Sequence, residues 1–136
     1  LDDVAPVLRD AALAAARRAM PPELWNRIDE TLYFAPLGRD EVRTIASRLL
    51  DTVAATVLRE HGVRVSVAPS VVDALVLGGG FDPTLGARPM RRTIGRLVEA
   101  PVAALLLSGS LRRGGCVELR GDGVEVRLEI RPKNRE

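Results

Sequence analysis

The chain has 136 residues, 46% of them hydrophobic, enough for a packed core, but only 3% aromatic, which weakens any aromatic stacking surface for single-stranded nucleic acid. The formal net charge is +2, carried by nineteen arginines and one lysine, Lys133. A single cysteine, Cys116, and a single histidine, His61, leave no disulfide framework and no Cys/His metal cluster, which fits a reducing, cytoplasmic setting.

Residues 1–19 place Leu1, Val4, Leu8, Ala11 and Ala15 at spacings of three and four, and the alanine-rich interior predicts a helix ended by Pro21-Pro22. The stretch "PELWNRIDE" predicts a short helical turn, and "TLYF" (residues 31–34) has the make-up of a short strand. Pro36 and Gly38 break the chain. Gly38 then serves as N-cap of a helix over 39–60, with Asp40 and Glu41 favourable in its first turn. Val42, Ile45, Ala46, Leu49, Leu50, Val53, Val57 and Leu58 form its apolar stripe, and Gly62 is placed as its left-handed cap. His61 beside that cap reads as a helix-terminal cation.

Period-two alternation in "VRVSV" (63–67) predicts a half-buried strand. Pro69 opens a short helix through about Leu77, closed by Gly78–Gly80. A further helix is expected from near Ala87, with Met90, Ile94, Leu97 and Val98 on one face, broken or kinked by Pro101 and resuming to Ser108. "CVELR" and "GVEVRLEI" alternate around Gly121-Asp122-Gly123, a hairpin signal, and residues 132–136 read as a frayed tail. From residue 36 on, the order helix, strand, helix, helix, strand, strand predicts an α+β domain with a three-stranded sheet packed against helices.

No G-x-x-x-x-G-K-[ST] loop occurs, the only lysine lies in the tail, and neither a G-x-G-x-x-G nor a nucleophile elbow is present. The chain cannot by itself assemble a P-loop nucleotide site. The chemistry rests on arginines. Their dominance over lysine fits phosphate recognition, but it also fits a biased composition rich in Ala, Val, Gly and Leu. Two segments stand out: "PELWNRIDE" with Arg27, and "GARPMRR" with Arg88, Arg91 and Arg92. A cation at a helix start is mildly disfavoured unless an anion joins it, and a guanidinium held there can grip a phosphate bidentately. An ordinary surface salt bridge explains the same residues.

"PELWNRIDE…LYFAPLGRDEV" followed by "GGGFDPTLGARPMRRTIGRLVEAPVAALLLSG" resembles the C-terminal end of the Clp-type AAA+ ATPases, ring-forming unfoldases and disaggregases, across nearly the whole chain. The resemblance implies that residues 1–35 are the end of the large nucleotide-binding subdomain and that residues 36–131 are the small C-terminal subdomain of the second ATPase module. It implies that Arg27, in the "NRID" position, is the arginine finger acting on the ATP of a neighbouring subunit. Arg88, in the "GAR" position beside Gly86 and Ala87, is implied to be sensor 2, touching the γ-phosphate in its own subunit. It further implies ATP with Mg2+ as cofactor of the longer parent, a hexameric ring, protein substrates, and in some members a protease partner. Leu24-Trp25 depart from the family's usual Phe-Leu, and Gly38 from its usual Thr or Ser cap.

The chain opens at "LDDVAP", without methionine, and reads as a piece of a longer protein. Without their sheet neighbours, residues 1–35 are expected to be frayed, repacked or paired with another copy. The alternative function is a basic α+β module that binds nucleic acid through Arg88, Arg91, Arg92 and Arg96, although interleaved Glu and Asp and the modest charge oppose it.

Overall fold

A computed structural model describes residues 4–131. The chain divides into two compact units, Leu1–Pro36 and Leu37–Glu136. The first residues and the tail named above, 1–3 and 132–136, lie outside the described residues.

In the first unit, helix α1 spans Val4–Ala19 and the single turn α2 spans Pro22–Trp25. Proline at the first position of α2 costs no hydrogen bond there. No residue from 6 to 36 is buried, so the described residues of this unit form no core of their own. The expected strand at 31–34 does not form, and Leu32 and Phe34 are 71% and 85% exposed. A strand exists through the ladder it shares with a neighbour, and β-rich composition cannot substitute for that partner.

The second unit begins with α3, Arg39–His61. Val42, Ala46 and Leu50 recur every four residues and are fully buried, with Leu49, Val53 and Val57 partly buried beside them. Leu58, counted in the expected stripe, is instead 52% exposed because it lies at the edge of that face. Gly62 ends the helix at φ 65°, its N–H donating to the Leu58 carbonyl.

Strand β1 (Arg64–Val67) pairs in parallel with β2 (Cys116–Asp122), Arg64 opposite Cys116 and Val67 opposite Leu119. Strand β3 (Glu125–Arg131) pairs antiparallel with β2, giving the order β1-β2-β3. A parallel pair needs a long crossover. Here the connection is largely helical: α4 (Ser70–Leu75) runs into a wide turn (Val76–Gly80) closed by Gly79 at φ 104°, as expected of the glycine triplet, and after the loop at 81–89 come α5 (Met90–Ile94), a π-turn (Gly95–Glu99) and α6 (Ala100–Leu107). Pro101 does not break this last run. The Ala100 N–H reaches back five residues to the Gly95 carbonyl, and that wide turn absorbs the hydrogen bond proline cannot make.

The hairpin is tighter than its sequence suggests. Asp122 faces Glu125, so the connection is Gly123-Val124, and Gly121 lies inside β2. Gly121 is required there by close approach. A Cβ would run into the Ser70 carbonyl, while the Gly121 N–H donates to Ser70 Oγ at 2.9 Å. The start of α4 is thereby fastened to the sheet. Leu75, Met90, Val98, Val102, Leu111, Val117 and Leu119 complete a core that is wholly aliphatic among its fully buried members. The architecture is α+β with a three-stranded sheet, as the sequence predicts.

Candidate functional site

The arginine-bearing loop of the second unit is built from a small set of backbone bonds. Asp82 and Gly86 form an isolated antiparallel bridge, the Asp82 N–H donating to the Gly86 carbonyl at 3.0 Å and the Gly86 N–H to the Asp82 carbonyl at 2.6 Å. Inside the bridge, Asp82 Oδ1 accepts from the N–H groups of Thr84 (2.7 Å) and Leu85 (2.8 Å). An aspartate folded onto its own following backbone is a standard turn device. Gly86 sits at φ 65°, a left-handed conformation that glycine adopts without steric cost.

The chain leaves this loop anchored on the core. Phe81 and Ala87 pack against it, and Met90 is fully buried three residues after Ala87. Arg88 lies between these anchors, exposed, with no ion pair or side-chain hydrogen bond among the described residues. The expectation that the helix begins near Ala87 and aims Arg88 from its first turn needs correction. The helix begins at Met90 with Pro89 as N-cap, and Arg88 lies in the preceding turn, its N–H donating to the Leu85 carbonyl at 3.4 Å. The Met90 N–H donates to the Ala87 carbonyl at 3.0 Å, so Arg88 and Pro89 form a tight turn that leads into the helix. Arg88 is therefore set by the turn that joins the loop to the helix.

The neighbouring arginines do not form one basic face. Arg96 Nη2 donates to the Gly78 carbonyl at 2.9 Å, tying the π-turn to the wide turn that follows α4, and it lines a shallow groove with Leu97 and Val126. Arg91 lines a different groove of about 410 Å³, together with Leu49, Val53, Ile94 and Val102. Arg92 is exposed. Sequence reasoning misses the roles of Asp82 and Arg96. The "DPT" turn signature marks the first, whereas nothing local marks the second.

Arg27 belongs to the first unit. It follows α2 in a turn closed by its own N–H to the Leu24 carbonyl at 3.1 Å, and its side chain is exposed without a partner among the described residues. Both arginines thus present free guanidinium forks, able to donate two parallel hydrogen bonds to a phosphate oxygen pair. His61 ends α3 and Cys116 opens β2, and neither takes part in the Asp82–Gly86 loop.

Elsewhere, the charges on the sheet are mostly matched. Burial pushes the Glu118 carboxyl up, but hydrogen bonds and positive charge from Arg131 and Arg120 outweigh it and hold the group below its ordinary value. Among the described residues no helix is long and apolar enough to cross a membrane.

Residues 37–119 match the family described as the C-terminal, D2-small domain, of ClpB protein. Over 118 residues, 87% of its length, the chain is 36% identical to the chaperone protein ClpB of Pseudomonas putida, covering 14% of that protein. It is 41% identical over 106 residues to the chloroplastic chaperone protein ClpC4 of Oryza sativa subsp. japonica, covering 78% of this chain and 11% of that one. A Porphyra purpurea homologue of the ATP-dependent Clp protease ATP-binding subunit ClpA is 39% identical over 114 residues, with 82% and 14% covered. The chain therefore spans only about one seventh to one ninth of these curated relatives.

Proposed function

The chain belongs to the Clp-type AAA+ ATPases, with residues 37–119 as the C-terminal, D2-small domain, and from that premise we propose that it serves as the nucleotide-sensing end of an ATP-dependent protein unfoldase or disaggregase. In this reading residues 1–35 are the end of the large nucleotide-binding subdomain and residues 36–131 the small one. Arg88 acts as sensor 2 toward the triphosphate of its own subunit, with Gly86 and Ala87 positioning it. Arg27 acts as the arginine finger toward the nucleotide of a neighbouring subunit in a hexameric ring.

The observation that carries this reading is the state of Arg88: an exposed, unneutralised guanidinium on a loop pinned by the Asp82–Gly86 bridge and by buried Met90. Asp82 Oδ1 accepts from the Thr84 and Leu85 N–H groups, which holds the loop in shape, and Arg88 forms no ion pair among the described residues. Such a site suits an anion. ATP with Mg2+ would supply the charge that develops on phosphoryl transfer, and Arg27 and Arg88 would donate hydrogen bonds to its phosphate oxygens. The residues that would cradle the remaining phosphates and help hold the metal belong to a P-loop, and no such loop occurs in this sequence. Because sensor 2 sits on the small subdomain, loss of the γ-phosphate contact biases the angle between subdomains, a hinge-type change that a ring converts into force on a threaded polypeptide. Protein substrates and a cytoplasmic setting follow from the same reading; a protease partner is an option of the parent that these residues do not encode.

The test is substitution in the full-length parent. Arg27→Ala should lower hydrolysis by about 10³-fold or more if it acts as a finger. Arg88→Ala should abolish nucleotide-dependent remodelling, while Arg92→Ala leaves it near wild type. Wild-type turnover in both Arg27→Ala and Arg88→Ala rules the assignment out.

A further inference from the structure

Strand β3 is an outer strand of the sheet, and among the described residues its outward backbone groups have no hydrogen-bond partner. Such an edge is a template for another strand. Its sequence, Glu125-Val126-Arg127-Leu128-Glu129-Ile130-Arg131, has an unusual symmetry. Laid antiparallel on a second copy with Leu128 opposite Leu128, it sets Arg127 against Glu129, Val126 against Ile130 and Glu125 against Arg131, each twice by symmetry. Every charge meets its opposite and every apolar residue meets an apolar one.

The pairing within the chain leaves a reason for this. Across β2 and β3, Glu118 faces Glu129 and Arg120 faces Arg127, like charges directly opposite, which is unfavourable. Glu118 is matched diagonally by Arg131 and along its own strand by Arg120, and Arg127 is matched by Asp122. Glu129 and Glu125 have no cation partner among the described residues. The symmetric pairing gives each of them one. Ile130, 42% exposed, would lie beside Val126 of the second copy, itself packed on the core.

We propose that β3 is an interaction edge for a second copy of this chain, forming a two-fold antiparallel pair about Leu128 that joins two three-stranded sheets into one of six strands. This contact is isologous, whereas ring subunits meet through heterologous surfaces. It does not depend on the roles assigned to Arg27 and Arg88.

Sedimentation of the 136-residue chain over a concentration series at low salt tests it, with circular dichroism as a folding control. The wild type should dimerise reversibly. Glu129→Arg places a cation opposite Glu118 and so favours the folded monomer. In the dimer the same change sets the Arg127 guanidinium of each copy against a new cation of the other, and dimerisation should weaken at least about tenfold. The double exchange Arg127→Glu with Glu129→Arg restores every opposite-charge pair and should recover the dimer. If Glu129→Arg fails to fold, Glu125→Arg makes the same test at the strand end. A wild type that stays monomeric throughout overturns the proposal. So does a dimer insensitive to Glu129→Arg or Glu125→Arg, or a double exchange no stronger than Glu129→Arg.

Discussion

Replacing Gly86 by alanine separates backbone strain from steric crowding in the loop that carries Arg88. A Cβ built on Gly86 meets Leu37 Cδ1 at 3.5 Å and Leu37 Cβ at 3.7 Å, ordinary van der Waals contacts, so space is not the obstacle. The cost is conformational. At φ 65° an L-residue carries a penalty of about 1–2 kcal/mol, reduced by a few tenths because alanine restricts the unfolded chain more than glycine does. The net expectation is a loss of about 1 kcal/mol, or roughly 4–8 °C in Tm for a unit of this size. Gly86→Asn should lose less, since asparagine tolerates the left-handed region. Arg88→Ala, with an exposed side chain and no partner among the described residues, should stay within about 0.5 kcal/mol of wild type. Urea unfolding of the three variants measures all of these. An unchanged Gly86→Ala midpoint, or a loss above about 3 kcal/mol, refutes the separation, because either result means the loop rearranges or clashes.

Leu75→Ala removes a fully buried side chain from the centre of the core and should cost about 2–5 kcal/mol, read by the same unfolding series. Glu118 has a depressed carboxyl value, so its ion pairs stabilise the fold above the ordinary value of 4.5 and lose that contribution as pH falls through the lower folded value. Glu118→Gln should therefore be less stable than wild type at neutral pH, with the gap closing in acid; a gap that persists at the lowest pH at which both remain folded contradicts the assignment.

Much of the second unit is legible in the sequence because its signals are local. The four-residue spacing of Val42, Ala46 and Leu50 marks a helix face, and Gly62 caps it in the conformation that only glycine reaches cheaply. The alternation in β2 and β3 shows the hairpin. Its centre is displaced from the expected one because Gly121 resembles a turn residue. The true reason for a glycine there, the Ser70 carbonyl fifty-one residues away, leaves no trace in the neighbouring sequence. The strand expected at 31–34 fails for a related reason: composition reports a preference, whereas a strand requires a partner. The helix starts at Met90, three residues after the expected place, because the tight turn from Ala87 to Met90 that precedes it carries the same apolar spacing as a helix.

The candidate site follows the same division between near and distant causes. Residue type identifies Arg88, but an exposed arginine without an ion pair is common in this chain; Arg92 is another. What distinguishes Arg88 is the frame. Asp82, six residues earlier, forms no ion pair with Arg88; its Oδ1 accepts from two backbone N–H groups and its backbone pairs with Gly86. Ala87 and Met90, packed on and within the core, then fix the exit from the loop. Arg96, by contrast, is held by the Gly78 carbonyl and so is less available to an external anion. The support of Arg88 is thus bonded before any ligand arrives, so an anion that meets it has only the side chain to order, at about 0.5–1.5 kcal/mol, and not the loop as well.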